Sequence, residues 1–118
     1  MGAIFVSSNY AKYIEEREGK YIYEDEKGFA TYVFNTKDEC YIMDIFVQKE
    51  YRKEGMAAYY TDEIEKIAKE RGCTYLVGSV SPKANNSTQS LQFMLSLGFT
   101  LDSCINNLIF FKRDIIGE

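Results

Sequence analysis

The chain has 118 residues, of which 46% are hydrophobic, ten are Tyr and eight are Phe, so one domain can bury a packed core. Its 14 basic and 18 acidic residues give a net charge of −4. That charge argues against a nucleic-acid binder, which needs a basic face to neutralise phosphates. It is compatible with a cationic amine substrate, and it is also ordinary for a soluble protein.

The cysteine and histidine content argues against a metal site. Three cysteines lie far apart without C-x-x-C spacing, and the chain has no histidine. We therefore expect reduced thiols in a cytoplasmic protein without a bound metal. No apolar run approaches 18 residues, and the first residues lack the basic flank of a signal peptide. Without histidine, acid–base chemistry falls to Asp, Glu, Tyr, Cys or bound water.

The first part of the chain predicts a short helix and a β-hairpin. Residues 7–18 have a helical pattern that Ser8 or Asn9 can cap. Residues 20–34 form two aromatic and β-branched runs around a Glu-Lys-Gly turn, which is typical of a hairpin. We expect Gly28 to supply the positive φ of that turn.

The middle of the chain predicts a βαβ unit. Residues 40–47 are nearly all apolar, which indicates a central strand buried on both faces and interrupted only by Asp44. Apolar residues then recur at helical spacing over residues 54–71, and residues 74–80 form another apolar strand. A strand, helix and strand of these lengths predict that the two strands are parallel.

The last part predicts a second helix over residues 87–98, which Gly98 ends, and a final hairpin that turns at Asn106 and Asn107. The whole chain, residues 1–118, is then a single α/β domain with a mixed sheet.

The stretch VQKEYRKEGMAAYY, residues 47–60, lies where the central strand meets the first helix of this unit. The first N–H groups of a helix lack intrahelical partners and favour anions. Gly55 has no Cβ and Ala57 is nearly as small, so a ligand can approach the backbone. Three basic side chains lie nearby: Lys49, Arg52 and Lys53. The stretch therefore predicts a phosphate or pyrophosphate site.

Other phosphate motifs do not fit this turn. No strand is followed by a Walker A sequence, and the dinucleotide pattern G-x-G-x-x-G is also missing from the sequence. Taken alone, the turn can also be read as a charged, solvated loop in which Gly55 eases a tight helix entry.

The ordered set of elements resembles the GNAT superfamily of N-acetyltransferases. Residues 52–57 match its coenzyme-A motif, Q/R-x-x-G-x-G/A, and residues 86–99 match in placement its helix N-x-x-A-x-x-x-Y-x-x-x-GF. The likeness runs through residues 40–99, and the flanking hairpin and tail fit the family's outer strands. The resemblance implies a mixed, mostly antiparallel sheet with a splayed parallel strand pair at its centre and flanking helices.

The resemblance also implies acetyl-CoA as cosubstrate. The main-chain amides of residues 52–57 would hold the pyrophosphate, and the pantetheine arm would pair with the end of strand 40–47, which carries a bulge in the family. The Val47 amide would stabilise the oxyanion, and Lys49 or Lys53 would meet the nucleotide phosphates or be ordinary surface lysines. The implied coenzyme site comprises Phe46, Val47, Arg52, Lys53, Glu54, Gly55, Met56, Ala57, Asn86 and Ser87.

Asp44 is the candidate general base. An acceptor alkylamine with a pKa near 10.4 is neutral in only about one part in a few thousand at pH 7, so its proton must be removed. Asp44 is a carboxylate inside an apolar strand, and its burial would raise its pKa toward a useful range. Alternatively, it only accepts hydrogen bonds from the backbone or a tyrosine.

The chain departs from the family at the candidate general acid. The tyrosine that usually protonates the departing thiolate falls on Met94, and the family's asparagine falls on Ser87, next to Asn86. Either the loop register differs, or the thiolate leaves with help from water, Ser90 or a tyrosine from elsewhere.

The chain also departs from the family before its first hairpin. About 19 residues precede this hairpin, which is room for one short strand and one short helix. We therefore expect an acceptor side that is open or completed by a second subunit, which suits a protein or peptide amine better than a small metabolite. The leading hypothesis is an N-acetyltransferase in which the amine attacks acetyl-CoA directly in a ternary complex. The alternative is a weak or inactive acyl-CoA-binding module.

Overall fold

A computed structural model describes residues 8–83 and 87–116, with only the backbone of Ser87. Its sheet has the strand order β1-β2-β3-β4-β6-β5, and among the described strands β3 and β4 are the one parallel pair. The predicted mixed sheet with a parallel central pair is confirmed. The elements are α1 (Asn9–Glu18), β1 (Tyr21–Glu24), β2 (Gly28–Phe34), β3 (Glu39–Val47), a 3-10 turn (Lys49–Tyr51), α2 (Met56–Glu70), β4 (Tyr75–Val80), α3 (Ser87–Ser96), β5 (Thr100–Ile105) and β6 (Leu108–Asp114).

The ends of α1 and the last hairpin follow local sequence chemistry. The hydroxyl of Ser8 accepts a hydrogen bond from the Ala11 amide at 3.0 Å and caps α1, as predicted. The short strand expected before this helix falls on residues 1–7, outside the described residues. Asn106 and Asn107 have φ angles of 51° and 65°, which a two-residue hairpin turn of type I′ requires.

The core lies between the sheet and α2. Tyr60 and Ile64 of α2 and Leu76 of β4 have no exposed surface. The three cysteines are free thiols, and burial raises the pKa of the Cys40 thiol to about 12. That thiol therefore stays protonated near neutral pH. No helix in the described part of the chain is long and apolar enough to cross a membrane.

The first hairpin forms, but Gly28 does not act as expected. Its φ is not positive, and it begins β2 instead of making the turn. The turn is held by Asp25, whose Oδ1 accepts hydrogen bonds from the amides of Lys27 at 2.8 Å and Gly28 at 3.2 Å. A Cβ on Gly28 would lie 2.1 Å from the carbonyl oxygen of Phe46. Close approach of β3, and not the turn conformation, therefore requires this glycine.

The expectation that β3 is buried on both faces is wrong. Cys40 and Ile42 in its first half are buried, but Met43 and Phe46 are 38% and 44% exposed, and Asp44 is also exposed. The reason is that β4 pairs only with the start of β3, at residues 39–41. The second half of β3 therefore lacks a strand neighbour on that side.

We expect Gly28→Ala to lower the free energy of unfolding by about 2 kcal/mol or more, because the new methyl group must push the backbone of β3 away. Gly78→Ala is the matched control. There the Cβ would meet only the flexible end of Met94, at 2.4 Å from its Cε, so we expect a loss of about 1 kcal/mol or less. Urea unfolding of both variants measures the difference, and equal losses would contradict the close-approach explanation.

Candidate active site

The central feature of the site is a gap between β3 and β4. Their register ends at the pair Tyr41 and Val77, and beyond it the two strands diverge. On the other side of β3, Thr31 of β2 faces Asp44 whereas Tyr32 faces Ile42, so Met43 is an extra residue in a β-bulge. A bulge bends its strand and increases the local twist, which accounts for the divergence. The expected splay and bulge are confirmed.

A cavity of about 190 Å³ occupies this gap. Its floor is the sheet, and α2 and α3 contribute its other walls. The lining includes Ile42, Met43 and Ile45 of β3, Thr61 of α2, Gly78, Ser79 and Val80 of β4, and Ser90, Phe93, Met94 and Leu97 in and after α3.

A second cavity, of about 450 Å³, lies at the start of α2. Phe93 and Leu97 line both cavities, so the two adjoin along α3. Together they lead from the charged turn to the strand gap, as a long ligand with an anionic end would need. The second cavity brings together most of the predicted coenzyme residues: Val47, Arg52, Lys53, Gly55, Met56 and Ala57.

The turn before α2 presents its backbone to this second cavity. Lys53 and Gly55 have φ angles of 73° and 78°, so both adopt the left-handed conformation. Gly55 is the N-cap of α2 and no side chain in the described part of the chain caps this helix end. Apart from its own local backbone, no described atom lies within 4 Å of where a Cβ on Gly55 would be. The first amides of α2 are therefore available to an anion. Glu54 points elsewhere, with its Oε1 3.5 Å from Lys27 Nζ.

Arg52 uses both its main chain and its side chain within the protein. Its amide donates to the carbonyl of Lys49 at 3.3 Å, and its Nε donates to the carbonyl of Val47 at 2.9 Å. The Arg52 amide is thus already engaged, contrary to the expectation that it holds pyrophosphate. Its side chain instead ties the turn to the end of β3, and the amides of residues 53–57 remain candidates for the phosphates.

The main chain of Val47 faces the gap. The amide of Gln48 donates to the carbonyl of Lys27, toward β2, at 2.8 Å. Because successive peptide groups of a strand point to opposite edges, the N–H of Val47 points away from β2. This orientation matches the role expected for an oxyanion donor.

Phe46 does not match its expected role. By the same alternation its main chain faces β2, and its ring packs against Phe29 with centroids 5.5 Å apart. Ile45 takes its place, because its main chain faces the gap and its side chain lines the strand cavity. Sequence reasoning missed Ile45, since the orientation depends on the bulge at Met43.

Asp44 is exposed, so the premise that it is buried within the strand is wrong. Its Oδ2 accepts a hydrogen bond from the hydroxyl of Thr31 at 2.9 Å. It lies between Met43 and Ile45, which line the strand cavity, while its own side chain lies on the sheet face away from α2. The carboxylate is therefore beside the gap and accessible to solvent.

Met94 occupies the place of the family's tyrosine and has no proton to donate. Its side chain lines the strand cavity and covers Gly78. Two serines, Ser79 and Ser90, are among the residues that line this cavity. Of the two predicted residues at the start of α3, Asn86 lies outside the described residues and only the backbone of Ser87 is described.

A hydrogen-bond network joins the first hairpin to the charged turn, and sequence reasoning missed it. The hydroxyl of Tyr60 in α2 donates to Asp25 Oδ1 at 2.6 Å, and burial and this hydrogen bond raise the pKa of Tyr60. The Gln48 side chain donates to the carbonyl of Glu26 at 2.7 Å. These contacts fix the position of the turn relative to the sheet.

Solved structures of acetyltransferases share this fold. The chain is similar to Ard1 from Thermoplasma volcanium, with a TM-score of 0.65 and 16% identity over 77% of this chain and 64% of that one. It is similar to an aminoglycoside 6'-acetyltransferase type Ii, with a TM-score of 0.71 and 15% identity over 91% of this chain and 77% of that one. It is also similar to a GNAT family acetyltransferase from Elizabethkingia anophelis with acetyl-CoA bound, with a TM-score of 0.67 and 15% identity over 87% of this chain and 82% of that one.

The chain thus spans just under two thirds of the Ard1 structure, 64% of its length. Comparison with curated proteins gave no match. The model of the acetyltransferase (GNAT) family matches residues 4–99. Since this match spans most of the chain and the sheet has the splayed parallel pair, the chain belongs to the GNAT family of acetyltransferases.

Proposed function

We propose that this protein transfers an acetyl group from acetyl-CoA to an amine, by direct attack of the amine on the thioester in a ternary complex. The observation that carries the proposal is the continuous path formed by the two adjoining cavities. The path begins at the uncapped start of α2, beside Val47, and ends in the strand gap, which Ile45 lines.

The coenzyme would lie along this path with its pyrophosphate at the amides of residues 53–57. Gly55 leaves open space there, and the helix dipole favours the negative charge. Lys49 or Lys53 would meet the remaining phosphates. The pantetheine arm would follow the edge of β3, where the main chains of Ile45 and Val47 face the gap.

The acceptor would approach from the opposite face of the sheet. Ile45 and Val47 pack toward the core, whereas Asp44 and Phe46 are exposed on the other face. An amine arriving there meets the Asp44 carboxylate before it reaches the thioester. Because Asp44 is solvated, it would accept the amine proton directly or through one water molecule.

Bond changes then follow in the gap. The neutral amine nitrogen attacks the carbonyl carbon, and a main-chain N–H of β3 that faces the gap, that of Ile45 or Val47, stabilises the resulting oxyanion by a few kcal/mol. The C–S bond breaks as the amide forms, and the coenzyme leaves as a thiol once its sulfur gains a proton. The exposed surroundings of Asp44 fit an amine on a protein or peptide, or an acceptor site that a second subunit completes.

The second candidate function is an acyl-CoA-binding module with little or no turnover. One observation favours it: Met94 stands where the family's proton-donating tyrosine would be, and it lines the same cavity. Both functions predict that coenzyme A binds. Only the transferase predicts that an amine causes release of the coenzyme thiol from acetyl-CoA, so this release distinguishes them.

We expect coenzyme A to stabilise the protein by about 2.7 kcal/mol at 100 times its dissociation constant. Ala57→Glu should abolish this effect, because a carboxylate in the first turn of α2 repels phosphate, although it favours the helix itself. Lys66→Glu is the control, since it adds negative charge to the same helix at an exposed position. Thermal unfolding with and without coenzyme A tests this, and an unchanged shift in Ala57→Glu would contradict the assigned site.

We expect thiol release from acetyl-CoA with at least one class of amine among polyamines, amino acids, aminoglycosides, and lysine or N-terminal peptides. Asp44→Asn should lower kcat/KM about 10²-fold or more while the thermal shift with coenzyme A stays intact. The deficit should shrink as the pH approaches the pKa of the amine, because the acceptor then loses its own proton.

Glu39→Gln removes a carboxylate from the paired end of the same strand and serves as the control for Asp44→Asn. If Asp44→Asn keeps full activity, Asp44 is not the base. If no amine gives thiol release while coenzyme A still stabilises the protein, the binding module is the correct function.

A further inference from the structure

One hydrogen bond crosses the gap between the parting strands. The hydroxyl of Tyr41 on β3 and Oγ of Ser79 on β4 share it at 2.5 Å. Tyr41 belongs to the last register pair of the two strands, with Val77, and Ser79 lies two residues beyond that partner. The two hydroxyls therefore meet where the strands begin to part.

This pair lies at the opening of the strand cavity toward the acceptor face. Gly78 faces Met94 and α3, so the next residue, Ser79, projects toward the opposite face of the sheet. Ser79 nevertheless lines the strand cavity. Ser79 therefore lies between the cavity and the sheet face on which Asp44 is exposed, and its side chain is on the Asp44 side. The Tyr41 ring is fixed edge-on against Phe110, with centroids 6.4 Å apart.

We propose that Ser79 donates a proton to the departing coenzyme thiolate and that Tyr41 in turn donates a proton to Ser79. The pair would thus perform the role of the family's tyrosine, whose position Met94 occupies. This inference rests on the proposed acetyl transfer. As the C–S bond breaks, the sulfur takes the proton of Ser79 Oγ, and Ser79 takes the proton of Tyr41. Tyr41 recovers a proton from the acceptor side, where the amine has released one. Both hydroxyls end as they began, and one proton has moved from nitrogen to sulfur.

Ser90 is the competing donor in the same cavity. It lies one helical turn before Met94 in α3, and it lines the strand cavity from the side of that helix. Among the described residues its hydroxyl has no hydrogen-bond partner that could replace a donated proton. Ser79 has such a partner, and Tyr41 lies on the sheet face where the amine proton is released.

The test compares Tyr41→Phe, Ser79→Ala and the double variant with the wild type in steady-state thiol release. We expect each single change to lower kcat roughly 10²-fold, the lower end for general acid–base catalysis, without changing the KM for acetyl-CoA. The double variant should lose no more than the worse single variant, because the two hydroxyls act as one unit. Ser79→Thr keeps a hydroxyl and should retain most of the activity.

Two further measurements separate proton donation from a structural role. A small carboxylic acid buffer, raised in concentration at fixed pH and ionic strength, should increase the rate of Ser79→Ala but not that of the wild type. Tyr75→Phe is the control, because it removes a hydroxyl that donates to Glu39 Oε1 at 3.3 Å, at the paired end of the same strands. It should keep wild-type kcat.

Wild-type thiol release with undiminished kcat in Tyr41→Phe and Ser79→Ala would overturn the relay and leave the proposed function standing. The relay is also wrong if the loss lies entirely in KM, or if Ser90→Ala carries the loss instead. A wild-type protein that releases no thiol with any amine would overturn the proposed function and the relay together.

Discussion

The parting of β3 and β4 beyond Tyr41 is the constraint on which the rest of the site depends. Two parallel strands that stayed paired would satisfy each other's main-chain groups and leave nothing for a ligand. The bulge at Met43 bends β3 away while its pairing with β2 continues on the other side. As a result, the N–H groups of Ile45 and Val47 face an open gap, and a cavity forms where a sheet would otherwise be closed.

The charged turn is held in place by contacts with the end of β3 and with the first hairpin. Gly55 and Lys53 adopt left-handed conformations that bring the chain from the 3-10 turn into α2. Arg52 ties this segment to the carbonyl of Val47, and the hairpin supports it through Asp25 and Tyr60. The turn proposed to bind the pyrophosphate and the strand gap are thus joined by direct contacts within the protein.

The sequence predicts most of the fold, because local chemistry determines it. The cap at Ser8, the Asn106 and Asn107 turn and the helical spacing of α2 each follow from short-range preferences, and all are observed. The βαβ unit follows from strand and helix lengths. The prediction of an anion site at the turn before α2 also rests on local features, because its glycine and its position do not depend on distant residues.

The finer features of the site depend on contacts between distant segments and could not be predicted in this way. The bulge at Met43 depends on the register between β2 and β3. It determines that the main chain of Ile45, and not that of Phe46, faces the gap. Asp44 looked buried within an apolar strand, but its exposure depends on where β4 stops pairing. The sequence neighbours of Gly28 indicate a turn, whereas the requirement for glycine at this position comes from the carbonyl oxygen of Phe46.

The central claim is that the coenzyme pairs with the free edge of β3 in the strand gap. Residue-resolved amide hydrogen exchange, with and without coenzyme A, tests it most directly. We expect the amides of Ile45 and Val47 to exchange more slowly with the coenzyme bound, and those of Asp44 and Phe46, which face β2, to stay unchanged. If coenzyme A leaves the exchange rates of the Ile45 and Val47 amides unchanged, or slows exchange only in β5 and β6, this placement is contradicted.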